Sequence, residues 1–364
     1  MGSEMCIRDS IISNSGIGPL NFTAGQGVEP FDFVYICNSD DNTISVYDNT
    51  TNSSVATING GSFPWRAEVR PGGDEVYVSN RNGNDVSVID VTTQTIIATI
   101  PAGFGPSGIA FTPDGNLAYI ANRNSSNVSV INCNTRGLVT TIPGMSTPKD
   151  VAVTPDGTTA YVTDEGSGVF IVSTSSNSVI GSIPGGNGEH TAVVTPDGQY
   201  VYVSQPWSSN VMVIATASNT VVANIPMNST PAGLDVTTDG AKVFVVDRYA
   251  SRVAVIDVAT NTVINSIPHP SFSEGWQLSI SGDGSYCYVS ISGFNALSNL
   301  VIIDVASETI LGTYPVGNGA RGTASLKSSA VSWLSNSPTS GTVAIGDSTN
   351  ISVAFLSLIH ISEP

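Results

Sequence analysis

The chain has 364 residues, of which 40% are hydrophobic and only 11% are charged. Its 12 basic and 29 acidic side chains give a net charge of −17. That charge argues against general binding to nucleic acids or anionic membranes, because phosphate binding needs concentrated Lys and Arg. No apolar run reaches the roughly 18 residues that a membrane span requires, so we expect neither a nucleic-acid partner nor a membrane span.

The first segment, residues 1–10, contains the string E-M-C-I-R-D-S and lacks the apolar stretch of a signal peptide. It fits none of the structural patterns that follow, and it is similar to translated sequencing-adapter read-through at the ends of metagenomic reading frames. The tail, residues 356–364, has the same character. We therefore expect both ends to be non-native and the natural protein to be longer at each end.

From residue 28 onward, one phrase returns seven times: an aromatic-Val step, a polar loop and an alternating V-x-V-I-D step. The successive spacings are 42, 42, 42, 41, 42 and 44 residues. A fixed period near 40 residues, built of short strands, indicates a stacked or radial repeat architecture. The anchor aromatics of the seven units are Tyr35, Tyr77, Tyr119, Tyr161, Tyr202, Phe244 and Tyr288.

The third unit illustrates what one repeat contains. We predict four strands in it, at 109–112, 117–121, 128–132 and 138–142, each rich in β-branched and apolar residues and bounded by Gly, Pro, Asn or Asp. Four strands per unit are typical of a β-propeller blade. The step Pro113–Gly115 predicts a turn with Gly in a left-handed conformation. Its aspartate lacks the ligand spacing of a calcium loop.

Counting strands predicts how the ring closes. The second and third strands occur seven times, but no first strand precedes Tyr35. The missing strand appears at the far end, as Arg321–Leu326. We therefore predict an all-β fold, a seven-bladed propeller over residues 28–327. Its first blade is completed by this C-terminal strand, which pairs an otherwise open sheet edge.

Several repeats match a known type. Val76–Asn80 (V-Y-V-S-N), Tyr119–Asn122 (Y-I-A-N), Tyr161–Asp164 (Y-V-T-D) and Val86–Asp90 (V-S-V-I-D) resemble the YVTN-type β-propeller repeats of bacterial and archaeal surface proteins. The resemblance covers roughly Phe31 to Lys327. It implies the propeller fold, whereas members of the wider superfamily include surface proteins, binding proteins and a few enzymes, so function needs its own argument.

The flanks of the repeats, residues 11–27 and 328–355, alternate apolar and polar residues around Gly, Pro and Asn, as sandwich strands do. They resemble the front and back parts of one immunoglobulin-like module of bacterial surface proteins. We predict a propeller inserted into a single, incomplete sandwich domain, although two truncated modules remain an alternative. This resemblance implies an extracellular or cell-surface bacterial protein attached to the rest of a larger surface protein.

Catalytic and metal signatures are sparse in the sequence. The match to G-x-G-x-x-G at Gly103–Gly108 lies between blades with no helix after it, so it does not predict a dinucleotide site. The four cysteines (Cys6, Cys37, Cys133 and Cys287) form no C-x-x-C pair, and His190 and His269 lie in unrelated units. We therefore assign no catalytic residue, metal site or cofactor from the sequence.

One distribution of residues points to a site. In this connectivity, the loops that lead into each first strand and those that join the second to the third strands open on the same face. Seven of the 12 basic residues fall there: Arg66, Arg81, Arg123, Lys149, Arg248, Arg252 and Arg321. The candidate binding residues at the channel mouth are Arg66, Arg81, Arg123, Lys149, His190, Arg248, Arg321, Trp65, Trp207 and Trp276.

Three hypotheses follow from this face. The first is a non-enzymatic secreted or cell-surface propeller that binds a protein partner, a glycan or a small anionic ligand, with Arg supplying forked donors and Trp supplying stacking surface. The second is a hydrolase or lyase using His190 with Glu189 or Asp150. The third is a spacer in a larger adhesin, in which the loop charges simply pair with their neighbours.

Overall fold

A computed structural model describes residues 3–7, 10–13, 20–24, 32–185, 188, 190–293, 298–327, 340–343, 348–351 and 357–362. Side chains are described within 32–327. The chain divides into two compact units, Asp32–Lys327 and a second unit that combines Met1–Phe31 with Ser328–Pro364.

The first unit is a ring of seven four-stranded antiparallel sheets, which confirms the predicted seven-bladed propeller. From the innermost strand outward, blade 1 contains Ala320–Lys327, Asp32–Asn38, Thr43–Asp48 and Ser53–Asn59, and blade 2 contains Pro64–Val69, Glu75–Asn80, Asp85–Asp90 and Thr95–Pro101. Blade 3 contains Pro106–Phe111, Leu117–Asn122, Asn127–Asn132 and Gly137–Ile142, and blade 4 contains Pro148–Val153, Thr159–Asp164, Gly168–Ser173 and Ser178–Pro184. In the same order, blade 5 contains Ala192–Val194, Tyr200–Gln205, Asn210–Ala215 and Thr220–Pro226. Blade 6 contains Pro231–Val236, Lys242–Asp247, Arg252–Asp257 and Thr262–Pro268, and blade 7 contains Gly275–Ile280, Tyr286–Ile291, Asn299–Asp304 and Thr309–Pro315.

The ring closes as the strand count predicts. Ala320–Lys327 pairs antiparallel with Asp32–Asn38, with Ala324 opposite Tyr35. The last strand of the repeat region therefore forms the inner edge of blade 1, and no first-blade sheet edge is left open toward the channel.

The core lies between neighbouring blades. The second and third strands are buried along almost their whole length, whereas the outermost strands alternate between exposed and partly buried positions. One hydrophobic cluster joins Tyr77 and Val88 of blade 2 to Ile109 and Phe111 of blade 3. This explains the sequence pattern, because strands covered on both faces read as continuous apolar runs of β-branched residues.

The anchor tyrosines tie each blade to the next. The Tyr161 hydroxyl donates to Asn219 Oδ1 over 2.6 Å, and Tyr202 donates to Asn261 Oδ1 over 2.6 Å. Each acceptor lies in the outer hairpin of the following blade, and both have a φ of 53°. Asn tolerates this left-handed conformation, so the repeat places an Asn where the neighbouring Tyr needs an acceptor.

The turns after the innermost strands of blades 3 to 7 follow one design. Thr112 Oγ1 donates to Asp114 Oδ1 over 2.6 Å, Asn116 N donates to the same oxygen over 3.0 Å, and Gly115 has a φ of +67°. The predicted turn chemistry is therefore correct. Among the described residues, no group of three or more His, Cys, Asp or Glu side chains is placed to hold a metal ion.

In the second unit, strands from the front of the chain pair with strands from its back. Leu20–Ala24 pairs with Ser340–Val343 and with Ser357–Ser362, which also pairs with Ser3–Ile7. Ser10–Ser13 pairs with Ser348–Ile351. Most of 11–27 and 328–355 lies outside the described residues, so the immunoglobulin-like sandwich and the non-native ends stay predictions.

Helical structure in the described propeller is limited to two short 3-10 helices, Arg248–Ala250 and Pro270–Glu274. In the part of the chain that the structure describes, no helix is long and apolar enough to cross a membrane.

Candidate ligand-binding site at the channel mouth

A cavity opens where the innermost strands begin, at one end of the central channel. We call it the mouth. Its cavity volume is about 30 Å³, and it lies at the bottom of a wider depression of about 480 Å³ that is open to solvent. Its walls are formed by Trp65, Arg66, Arg81, Ser107, Gly108, Arg123, Lys149, Asp150, His190, Thr191, Trp276, Gln277, Arg321 and Gly322.

Irregular strand pairing at the start of the innermost strands explains why so many side chains line the mouth. The register with the second strand shifts between Pro64 and Arg66 in blade 2, and between Pro148 and Asp150 in blade 4. A bulge places two consecutive residues toward the same side, whereas a regular strand would alternate them. Adjacent residues such as Trp65 and Arg66 therefore both line the mouth.

The structure brings most of the ten predicted site residues together. Eight line the mouth directly, and Arg248 lies at its edge, with its guanidinium carbon 4.1 Å from the centre of the Trp276 ring. Trp207 does not line it, and its side chain is 64% exposed. Arg252, on the same face, is paired with the buried Asp247 (Nε to Oδ2, 2.9 Å), while Glu189 lies outside the described residues.

Five of these side chains form a continuous stack, which we call the arginine–tryptophan ladder: Arg81, Trp65, Arg321, Trp276 and Arg248. The Arg81 guanidinium carbon lies 4.4 Å from the Trp65 ring centre. That of Arg321 lies 5.1 Å from Trp65 and 4.5 Å from Trp276. Cation–π contacts of this kind hold a guanidinium plane in place and leave its N–H edges available.

The ladder corrects one expectation from the sequence. Trp65 and Trp276 were expected to offer stacking surface to a ligand, but arginines already stack on both, and the two indoles also meet edge to face at 5.8 Å. These tryptophans therefore position guanidiniums. The sequence could place these residues on one face of the propeller. It could not predict the order in which they stack, which joins side chains of blades 6, 7, 1 and 2.

Among the described residues, two ladder arginines have no carboxylate partner. Within 32–327, outside the gaps at 186–187, 189 and 294–297, no Asp or Glu oxygen lies within 4.0 Å of Arg81 or Arg321. Burial, and then the nearby Arg123 and Arg321, lower the pKa of Arg81, and burial also lowers the pKa of Arg321. These half-buried cations repel one another, so the ladder is an attractive position for an anion.

The opposite wall of the mouth is more nearly neutral. Glu165 accepts from Arg123 over 2.8 Å and lies 3.1 Å from Lys149 Nζ, so here the loop charges pair locally. Burial, together with the nearby Lys149, lowers the pKa of His190 to about 3. The imidazole is therefore neutral near pH 7, and its Nδ1 lies 3.1 Å from the Thr191 hydroxyl.

An ion pair crosses the floor of the mouth. Arg66 Nη1 lies 3.8 Å from Asp150 Oδ2, and the Asp150 carboxylate packs against Gly108, where a Cβ would lie 2.2 Å from Oδ1. Asp150 also accepts from Ala192 N over 3.4 Å and makes no hydrogen bond with His190. Asp150 and His190 thus line the same cavity, and among the described residues no hydrogen bond joins them.

Below this floor the channel continues between the innermost strands and has an acidic lining. Glu68 and Asp235 face it, and burial raises the pKa of Glu68 to about 7 and that of Asp235 to about 6. Asp235 accepts from Val236 N and Ile280 N, both over 2.8 Å, so it ties blade 6 to blade 7. Cations therefore dominate the lining of the mouth, whereas two carboxyl groups and Arg66 line this deeper part of the channel.

Two family models match parts of the propeller. A model described as "YNCE-like beta-propeller" matches residues 143–279, and one described as "Lactonase, 7-bladed beta-propeller" matches residues 33–154. Each covers less than half of the chain, and together they support the propeller class without deciding between the two families. No curated protein gives a significant match.

Solved structures confirm the architecture. A functionally unknown protein from Desulfotomaculum acetoxidans superposes with a TM-score of 0.70 at 17% identity, covering 81% of this chain and 98% of that one. Hydrazine synthase from Kuenenia stuttgartiensis gives 0.64 at 21% identity, covering 80% and 96%. The dihydro-heme d1 dehydrogenase NirN gives 0.60 at 16% identity, covering 80% and 74%. At these identities the likeness extends to the fold alone.

Proposed function

We propose that this propeller is a non-enzymatic binding protein that holds a small anionic ligand in its mouth. The observation that carries the proposal is the pair Arg81 and Arg321, two guanidiniums fixed on tryptophan rings without a carboxylate partner among the described residues. Nine of the fourteen residues that line the mouth carry a charge, an imidazole or an indole, in a chain whose overall charge is −17.

The energetic argument is one of preorganisation. A free arginine loses rotamer entropy when it binds an anion, but the ladder has already fixed these side chains. A carboxylate placed between them would also relieve the repulsion among Arg81, Arg123 and Arg321. Hydrogen bonds to charged groups contribute about 1.5–3 kcal/mol each, so one such arginine is worth roughly tenfold to a hundredfold in affinity.

A thermal-shift screen of mono- and dicarboxylates, sugar acids and inorganic anions, each beside its neutral amide or alcohol analogue, tests the proposal. We expect anions to raise the melting temperature of the wild type and to lose most of that effect in Arg81→Met and Arg321→Met. Arg136→Met is the matched control, because Arg136 pairs with Glu75 on the opposite face and leaves Glu75 paired with Arg70. Equal responses from charged and neutral compounds would contradict an anion site.

The lactonase match makes an esterase-like hydrolase the second candidate, with His190 as general base beside the mouth arginines. The pKa of about 3 opposes it, since a base that weak removes a proton from water poorly at neutral pH. Incubation with lactones of several ring sizes tests this candidate. Hydrolysis by the wild type that disappears in His190→Gln would establish the hydrolase candidate. If no lactone is hydrolysed, only the binding function is left.

We also propose an extracellular or cell-surface location. The low charged fraction and the flanks that resemble a surface module support it. Fractionation of cells that express the complete native reading frame tests it, and recovery of the protein only in the cytoplasm would contradict it.

A further inference from the structure

The strongly exposed aromatic side chains of the propeller share one face. Among the described residues, Phe104 is 65% exposed, Trp207 is 64% and Tyr249 is 69%. The other exposed large hydrophobic residues are aliphatic and lie on the outermost strands. Phe104 lies in the loop that leads into blade 3, and Trp207 and Tyr249 lie between the second and third strands of blades 5 and 6. All three loops open on the mouth face, and we call these three residues the aromatic rim.

The loops that carry the rim residues contact their neighbours. A Cβ built on Gly188 would lie 2.7 to 2.9 Å from three atoms of the Trp207 indole, so the Gly188 backbone lies close to this ring, which is 64% exposed. Phe104 N donates to Ser125 Oγ over 2.6 Å, and its carbonyl accepts from Asn124 N over 3.0 Å. Tyr249 is the middle residue of the 3-10 helix Arg248–Ala250.

Exposed aromatic rings suit a ligand that is apolar on one face and polar at its edges. The C–H face of a pyranose ring has this character, and it stacks on aromatic rings while its hydroxyls stay in water. The mouth, in contrast, offers guanidinium edges and little free indole surface. In a chain whose net charge is −17, the cationic mouth is the favourable place for the carboxylate end of such a ligand.

We propose, building on anion binding at the mouth, that the ligand is an acidic oligosaccharide bound end-on. The carboxylate of its terminal uronate lies against Arg81 and Arg321, and the following sugar rings lie over the aromatic rim. The uronate carboxylate enters the mouth and its sugar ring stays at the solvent-open entrance, because the cavity itself measures only about 30 Å³. Affinity should therefore grow with chain length as further rings reach Trp207, Tyr249 or Phe104.

Calorimetric titration with galacturonate and with its α-1,4-linked oligomers of two to six residues tests this inference. We expect the trimer to bind at least tenfold more tightly than the monomer. Trp207→Ala and Tyr249→Ala should remove most of that gain without changing monomer affinity, whereas Arg321→Met should weaken monomer and trimer alike. Ile180→Ala, at a 62% exposed position on an outermost strand, is the matched surface control.

The possible outcomes separate the two proposals. Monomer and trimer of equal affinity, or rim variants without effect on the trimer, would overturn the oligosaccharide and leave anion binding intact. A methyl-esterified trimer that binds as well as the acid, or an Arg321→Met variant that binds normally, would overturn both. A hexaglutamate peptide that binds more tightly than the trimer would also overturn the oligosaccharide, in favour of an acidic protein segment.

Discussion

A single hydroxyl explains why tyrosine anchors most of the repeats. The hydroxyls of Tyr119, Tyr161 and Tyr202 each reach the side chain of a left-handed Asn in the next blade, at 2.6 to 2.7 Å. In blade 6 the anchor is Phe244, and the equivalent left-handed position in blade 7 is Glu308, which pairs instead with Lys242 Nζ over 2.5 Å. An ion pair therefore takes the place of the missing hydrogen bond.

The first residue-scale prediction concerns this bond. Tyr161→Phe and Tyr202→Phe should each lower the free energy of unfolding by about 0.5–1.5 kcal/mol, because the buried hydrogen bond is lost while the ring still packs. Chemical denaturation monitored by circular dichroism measures the loss. Tyr249→Phe serves as control, since its side chain is exposed. Equal effects at all three positions would refute the role of the inter-blade bond.

A second residue-scale prediction concerns the channel acid Glu68. Burial raises its pKa to about 7 in the folded protein, against an ordinary value of 4.5. The folded state therefore binds the proton more tightly, and wild-type stability should fall as pH rises from about 4.5 through 7. Glu68→Gln removes this titration and leaves Arg66 its Asp150 partner, so the variant should gain stability relative to wild type between pH 5 and pH 8. If the free energies of unfolding of wild type and Glu68→Gln changed with pH in parallel across this range, the raised pKa of Glu68 would be contradicted.

At the scale of the strand, glycines allow innermost strands to approach one another around the channel. A Cβ on Gly322 of blade 1 would lie 2.5 Å from the Trp65 carbonyl oxygen and 2.7 Å from the Arg66 Cα of blade 2. Both neighbours are backbone atoms that cannot rotate away. The same close approach at Gly108 leaves space for the Asp150 carboxylate, so these glycines shape the floor of the mouth.

Gly322→Ala should therefore lower the free energy of unfolding by about 1–3 kcal/mol, because the closing strand must shift away from blade 2. Gly137→Ala is the matched control, since a Cβ there meets nothing closer than Thr135 Oγ1 at 3.5 Å; its effect should stay within about 0.5 kcal/mol. Denaturant unfolding of both variants makes the comparison. A Gly322→Ala protein as stable as the control would show that the junction between blades 1 and 2 is looser than the structure indicates.

Elements and their order could be predicted from sequence because both depend on local patterns. Turn residues recur with a fixed spacing. No first strand precedes the second strand of blade 1, so the strand at the end of the repeats, Ala320–Lys327, must supply it and close the ring. The pairing of Arg252 with Asp247 was also within reach, since they close one hairpin opposite each other. The ladder was not, because its contacts depend on strand bulges and on how far each side chain reaches across the mouth.

At the scale of the whole molecule, charge is distributed unevenly. The chain carries −17, yet six cationic side chains surround the mouth, and its far-face cations Arg70, Arg136 and Lys242 are each paired with a glutamate. Because the mouth is narrow and partly buried, its cations are screened less than surface charges. The mouth is therefore the place where we expect this acidic protein to attract an anion.

The most direct test of this central claim is an NMR titration of protein labelled with ¹⁵N at its arginine side chains, of which the chain has nine. With galacturonate as the probe, the account predicts saturable shifts of the Nε–H signals of Arg81, Arg321 and Arg123. Arg70 and Arg136, held by Glu75 on the opposite face, should stay unchanged. Shifts that are equal at all arginines, or confined to Arg70 and Arg136, would contradict a ligand site at the mouth.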